Sequence, residues 1–163
     1  MTTTTSQTLS WTTYDSPLGP LTLVAGRRGL RALHFPGRAE PLDESARDDR
    51  LLAPAAQQLA EYFAGRRRRF ELALDLDGTP FQQQVWTHLA GIPYGSTRSY
   101  GAVARGMGRP DRARAVGAAV GRTPVPIIVP CHRAVGANGD LTGYAGGLDR
   151  KRALLDLEAA VSG

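Results

Sequence analysis

Cys131, His132 and Arg133 follow one another directly after the apolar run from Pro124 to Pro130, and Cys131 is the only cysteine of the chain. A thiol in that setting has two fates. Among valine and isoleucine it packs as a small hydrophobe. Beside an imidazole and a guanidinium it becomes a nucleophile, because a free thiol titrates at about 8.5 and neighbouring cations lower that value. The polar residues straight after the apolar run imply that the chain turns or surfaces at Cys131, with its thiolate accessible. Three chemistries of such a sulfur make distinct demands on the sequence. A phosphatase loop requires arginine after five intervening residues, and Ala137 stands there. Structural zinc requires several soft or imidazole ligands, whereas His34, His88 and His132 are scattered beside one thiol. A papain-like hydrolase requires a separate histidine, an orienting Asn or Asp and an oxyanion hole, and the sequence neither forbids nor supports it.

The elements that must position this sulfur are partly readable. Pro124, Pro126 and Pro130 bracket Val125, Ile127, Ile128 and Val129, which predicts a buried, extended and rigid presenter for Cys131. Upstream, Ser99 caps a short predicted helix, "YGAVARGM", which stops at Gly108, Arg109 and Pro110. Asp111 is the expected cap of the next helix, "RARAVGAAVG", so the pair has the layout of a helix-turn-helix. In that second helix Arg112 and Arg114 stand among Ala113, Ala115, Gly117, Ala118 and Ala119. Small side chains permit tight helix packing, but only Val116 and Val120 supply a buried stripe. A face of alanine and glycine with two arginines suits close approach to a DNA groove.

The first half of the chain has a different character. "LGPLTLVAG" and "GLRALHF" predict a hairpin through the turn Gly26 to Gly29, and Leu51 to Phe63 carries apolar residues at helical spacing. In "FELALDLD" strict alternation predicts a half-buried strand. Thr79 and Pro80 then open a helix bearing Phe81, Val85, Trp86 and Leu89 on one stripe. The expected division is a disordered polar tail over 1–9, an N-terminal α/β domain over 10–77 and a C-terminal domain over 78–163. The run Arg66 to Arg69 reads as a solvated turn complementing a helix C-terminus, with phosphate contact as the other reading.

Composition sets outer bounds. With 42% hydrophobic and 21% charged residues the chain is globular, and no apolar stretch approaches the roughly 20 residues of a bilayer span. The start lacks the basic and apolar segments of a secretory signal, and one unpaired thiol fits a reducing cytoplasm, so a soluble cytoplasmic protein is expected. Lys plus Arg number 20 against 15 Asp plus Glu, a net charge of +5 carried almost wholly by arginine, which admits a polyanionic partner.

"IPYGSTRSYGAVA", "ARAVGAAV", "PVPIIVPCHRAVG" and "LTGYAGGLDRKRALLDLE" stand in the order and spacing of the O6-alkylguanine-DNA alkyltransferase family, which the chain resembles closely from Gly78 to Glu158. "SPLGPLTLVAG" and "GLRALHF" also resemble its N-terminal half. The resemblance implies a mixed α/β (α+β) protein: a small ribonuclease-H-like domain, then a mainly helical domain with the helix-turn-helix and the Pro-Cys-His-Arg segment. It implies single-turnover transfer of an alkyl group from O6-alkylguanine in duplex DNA to Cys131, with no metal and no cofactor, by a monomer. O4-alkylthymine as substrate and cooperative binding are left open.

The resemblance also implies roles. His132 would relay the Cys131 proton through a water and Glu158 would hold the imidazole, on a helix capped by Asp149; an ordinary salt bridge from Glu158 to an arginine is the alternative. Tyr100 would help rotate the nucleotide and donate to the leaving guanine. Arg114 would fill the vacated place in the stack, with Arg112, Ala113, Gly117 and Ser99 at the DNA surface. Pro126, Val135, Tyr144, Ala145 and Gly146 would wall the base pocket. Arg133 is given no chemical step. The sequence departs from the family at Thr123, where asparagine is the pattern; one short hydroxyl is expected to bridge recognition helix and active site less well than an amide. A non-catalytic sensor of alkylated DNA and a thiol hydrolase remain as competing functions.

Overall fold

The computed structural model describes residues 9–39, 42–144 and 146–162, so the expected tail over 1–9 lies, apart from Leu9, outside the described residues. The chain divides into two compact units, one ending at Leu76 and one starting at Asp77.

The first unit is built on an antiparallel sheet in the order β1 (Ser10–Ser16), β2 (Gly19–Ala25), β3 (Leu30–His34). The expected hairpin is β2–β3, closed by a hydrogen bond from Gly26 N–H to the Gly29 carbonyl at 2.8 Å. Gly29 has φ 146°, and a Cβ there would lie 2.3 Å from the Ala73 carbonyl oxygen, so only glycine fits this turn. Helix α1 (Ala53–Phe63) turns Ala55, Leu59 and Tyr62 inward. Leu21, Leu23, Leu33 and Leu59, all at most 2% exposed, form the core with Tyr62; each leucine contributes about 1.5–3 kcal/mol by leaving water. Trp11 lies in this unit, its indole N–H donating to the Asp43 carbonyl at 2.8 Å.

"FELALDLD" does not form a strand. It makes a single parallel bridge, Leu30 to Leu74, through Leu30 N–H to Ala73 O and Asp75 N–H to Leu30 O, both 2.9 Å. Alternation half-buries Phe70, Leu72 and Leu74, but the five-residue β3 offers that edge only one pairing residue.

The second unit begins with α2 (Pro80–Ala90), whose capping box pairs Thr79 with Gln82. Val85, Trp86 and Leu89 are buried, and the Trp86 indole N–H reaches the Ala119 carbonyl at 2.9 Å. Helices α3 (Tyr100–Gly106) and α4 (Ala113–Val120) form the helix-turn-helix. Ser99 caps α3 by accepting from Ala102 N–H at 3.0 Å. Asp111 does not cap α4, because the helix starts later and Arg112 takes the N-cap position without a side-chain bond. Val116, Ala119 and Val120 face inward, while Arg112, Arg114 and Ala118 face solvent.

Two short strands, β4 (Arg98–Ser99) and β5 (Ala134–Val135), pair in parallel, Arg98 with Ala134 and Ser99 with Val135. This pairing sets Tyr100 beside the turn of Cys131–Arg133. Helix α5 (Leu148–Ser162) closes the unit and buries Lys151, Leu154 and Glu158. It starts at Leu148, so Asp149 lies in the first turn and is not the cap.

The presenter of Cys131 is a turn, contrary to the extended expectation. Val129 N–H bonds back to Val125 O at 3.0 Å, Pro126 bridges Val129, and Ile127 has φ 74°. Left-handed backbone at a β-branched residue costs about 1–3 kcal/mol and persists only where surroundings enforce it. Around Pro130, φ −79° and ψ 58° make a three-residue turn in which Cys131 N–H donates to Val129 O at 2.7 Å. Proline fixes φ; here ψ does the bending.

Candidate active site

Cys131 opens a 3-10 turn, Cys131–Arg133, and is 1% exposed. Of the two fates open to the thiol and the turn or surfacing expected here, the structure has burial and a turn, and the thiol pKa is raised where neighbouring cations were expected to lower it. Burial pushes the Cys131 thiol up to about 11, outweighing a hydrogen bond from Thr123 and the charge of Lys151, which pull it down. At neutral pH the resting sulfur is therefore protonated, and its proton needs an acceptor.

His132 supplies that acceptor. Its Nε2 lies 2.6 Å from Glu158 Oε2. The same carboxylate receives Arg133 Nε at 2.8 Å on Oε1, Arg133 Nη2 at 2.9 Å on Oε2 and the Gly95 N–H at 3.1 Å on Oε1. A carboxylate so occupied only accepts, so Nε2 must carry the imidazole hydrogen and Nδ1 the lone pair. Nδ1 is buried and has no hydrogen-bond partner. Burial also lowers the His132 pKa, against the raising effect of Glu158, so the ring is neutral and able to take a proton. The two readings of Glu158, imidazole holder and salt bridge to an arginine, are thus realised together. Arg133, whose Nη1 also donates to Ile92 O at 2.8 Å, anchors the carboxylate to the chain before α3.

Lys151 was not singled out from sequence. It is 0% exposed, donates through Nζ to the Thr142 carbonyl at 2.9 Å and lies 5.8 Å from the Tyr100 ring centroid. Burial lowers its pKa and the charge of Cys131 raises it. Lys151 and Arg133 are two buried cations and Glu158 is a single buried carboxylate, so ionising Cys131 supplies the second negative charge.

Tyr100 stands over this group. Its hydroxyl is 3.0 Å from both the carbonyl and the Oγ1 of Thr142. A Cβ on Gly117 would come within 3.3 Å of the Tyr100 ring, so this glycine serves close packing of tyrosine on α4 and is not an open docking face. Of the remaining DNA-surface candidates, Arg114 is exposed, Ala113 and Ser99 are half-buried, and Arg112 stacks its guanidinium 5.9 Å from the Phe81 ring centroid. Of the pocket candidates, Pro126, Val135, Tyr144 and Gly146 are buried and Ala145 lies outside the described residues.

Thr123, where the family pattern has asparagine, is buried just past the end of α4. Its Oγ1 donates to Val120 O at 2.8 Å, at the end of α4, and the same side chain pulls the Cys131 thiol pKa down. One proton cannot serve both the carbonyl and the sulfur, so the hydroxyl can turn toward sulfur when sulfur ionises. Thr123→Val is expected to raise the thiol pKa by about one unit, the worth of a hydrogen bond to a charged group. Iodoacetamide labelling against pH measures it, and an unmoved profile would confine Thr123 to the helix end.

Family models for the 6-O-methylguanine DNA methyltransferase match both units: the ribonuclease-like domain over residues 9–76 and the DNA binding domain over 80–160. The chain belongs to the 6-O-methylguanine DNA methyltransferase family. It is similar to the methylated-DNA–protein-cysteine methyltransferase of Mycobacterium tuberculosis, at 49% identity over 92% of each chain. The Methanosarcina acetivorans methyltransferase is 45% identical over 90% of this chain and 96% of its own. Among solved structures, the M. tuberculosis O6-methylguanine methyltransferase superposes with a TM-score of 0.87 at 49% identity, covering 95% of each chain. The same organism's protein in complex with DNA superposes with 0.83 at 50% identity, over 93% of this chain and 94% of that one. The mixed fold, a small sheet domain followed by a mainly helical one, is that of the 6-O-methylguanine DNA methyltransferase family. Among the described residues no helix is long and apolar enough to cross a membrane.

Proposed function

We propose that this methyltransferase family member repairs DNA in the cytoplasm, as a single chain, by moving the alkyl group of O6-alkylguanine in duplex DNA onto Cys131. Residues 78–163 both dock DNA and accept the alkyl group, and 10–77 form the ribonuclease-like companion domain. The observation that carries this reading is the protonated, buried thiol beside a neutral histidine whose buried Nδ1 lone pair is unmet and whose Nε2–H is held by Glu158.

The thiol proton passes to His132 Nδ1 through a water, leaving a thiolate and an imidazolium that Glu158 stabilises. The sulfur attacks the alkyl carbon; the S–C bond forms as the C–O6 bond breaks, and the electron pair leaves with guanine. Tyr100 gives its hydroxyl proton to the departing base and recovers one from the imidazolium. A base inside a duplex cannot reach a 1%-exposed sulfur, so the nucleotide must leave the stack. Pro126, Val135, Tyr144 and Gly146 wall the pocket that receives it. Arg114, exposed on the first turn of α4 with no ion pair among the described residues, fills its place. A thioether is a very poor leaving group and the chain has no second cysteine, so one molecule repairs one lesion.

Mass spectrometry after mixing with an O6-methylguanine duplex tests the reading. One methyl retained on Cys131 is expected. An unaltered protein bound to the duplex would make it a sensor, and an unaltered protein with released methanol a hydrolase. In the same assay Arg114→Ala is expected to slow transfer from duplex far more than transfer from free O6-benzylguanine, which needs no extrusion. Equal losses on both substrates would end the stack-filling role.

A further inference from the structure

An open groove of about 430 Å³ runs beside the recognition helix. Tyr100, Gly101 and Arg105 line it together with Ala113 and Arg114. No acidic side chain lines it. Arg105 comes from α3 and Arg114 from α4, so two separate elements aim cations at one channel. Arg105 is exposed and, like Arg114, makes no ion pair and no side-chain hydrogen bond among the described residues. Its guanidinium folds back over the first turn of α3, where a Cβ on Gly101 would already stand 3.5 Å from Nη1. The absence of a side chain at Gly101 therefore leaves room for the guanidinium beside a lining residue of the groove, one residue from Tyr100.

We propose that Arg105 is a DNA-binding residue that neutralises a backbone phosphate of the strand carrying the extruded nucleotide, with that strand lying in the groove between Arg105 and Arg114. The proposal rests on the alkyl-transfer reading and deepens it. A nucleotide that rotates out of the stack toward Cys131 carries its flanking phosphates with it. Tyr100 is uncharged and can guide that rotation, but it offers no countercharge. The Arg105 guanidinium in the same groove does, and its fork suits a phosphate. Neutralising one phosphate releases about 0.9 counterions, which makes the contact countable.

The test measures single-turnover transfer from an O6-methylguanine duplex at limiting protein over a series of salt concentrations, for the unchanged protein, Arg105→Ala and Arg105→Lys. Transfer from free O6-benzylguanine serves as the phosphate-free control. Arg105 is exposed in the last turn of its helix, so alanine there leaves the fold intact. Expected for Arg105→Ala are slower transfer from duplex, a plot of log rate against log salt shallower by about 0.9, and an unchanged rate on the free base. Lysine is expected to restore the slope, since it carries the same charge. An unchanged slope in the alanine variant would overturn the contact, as would an equal loss on the free base. If the unchanged protein transferred nothing from duplex or free base, the parent reading would fall and this one with it; transfer with an unmoved slope sinks Arg105 alone.

Discussion

Cys131→Ala is expected to abolish alkyl uptake completely while leaving affinity for undamaged duplex DNA as it is in the unchanged protein. The chain has one thiol, so no neighbouring sulfur can substitute for it. Water is no replacement, because the site buries this atom to 1% exposure and nothing else there is a nucleophile of comparable strength. Arg105, the group proposed to meet phosphate, is exposed on α3 of the helix-turn-helix and keeps its surroundings. Gel shift and transfer measured on the same preparation decide the matter, and transfer by the variant would end the nucleophile assignment. Stability against pH supplies a second readout. The folded thiol pKa is raised from 9.0 to about 11, so the folded state holds this proton more tightly than the unfolded one. That contribution is whole below pH 9.0 and is lost as pH rises through about 11. The unchanged protein should therefore lose on the order of 3 kcal/mol across that window that Cys131→Ala does not lose.

Glu158→Gln should give the second largest effect, and two distinct losses compose it. Transfer is expected to fall by about 10²–10⁴-fold, because an amide stabilises the imidazolium of His132 far less than a carboxylate does. Folding stability is expected to fall by about 3–5 kcal/mol, because Arg133 keeps its buried charge and loses its partner. The two separate with pH. Burial lowers the His132 pKa and Glu158 opposes that effect, so stability is present above the ordinary value of 6.5 and is lost as pH falls. Glutamine removes the opposing influence, and the variant's deficit should widen below pH 6.5. Thermal unfolding against pH and single-turnover rates on folded protein check both. A folded variant with an unaltered rate would leave Glu158 a purely architectural role.

What the sequence disclosed follows the kind of constraint each segment obeys. The stripe Val85, Trp86 and Leu89, the β2–β3 hairpin and the Thr79 and Ser99 caps are local, and all are present. Strand β1 was not legible, because "SWTTYDS" is an edge strand that buries only Trp11 and Thr12 and so has no alternation to read. The bend at Ile127 was hidden for another reason: three prolines restrain φ and say nothing of ψ. In the site, Cys131 and His132 stood out as residue types. Lys151 did not, and neither did the burial of Arg133, since both side chains are ordinarily solvated and only their partners, the Thr142 carbonyl and Glu158, reveal that they are inside. The direction of the thiol pKa is not legible in sequence, because neighbouring residues suggest cations, while burial, which sequence shows poorly, dominates.

The two tryptophans are apportioned one to each unit: Trp11 on β1, and Trp86 on α2 with its N–H fixed to the last turn of α4. Indole emission responds to burial and to hydrogen bonding at that nitrogen. Trp11→Phe therefore leaves a chain whose intrinsic fluorescence comes from a single fluorophore tied to the recognition helix, and Trp86→Phe leaves one that reports the sheet unit alone. With no extrinsic dye, the melting of each half and the movement of α4 when DNA arrives become separate optical signals.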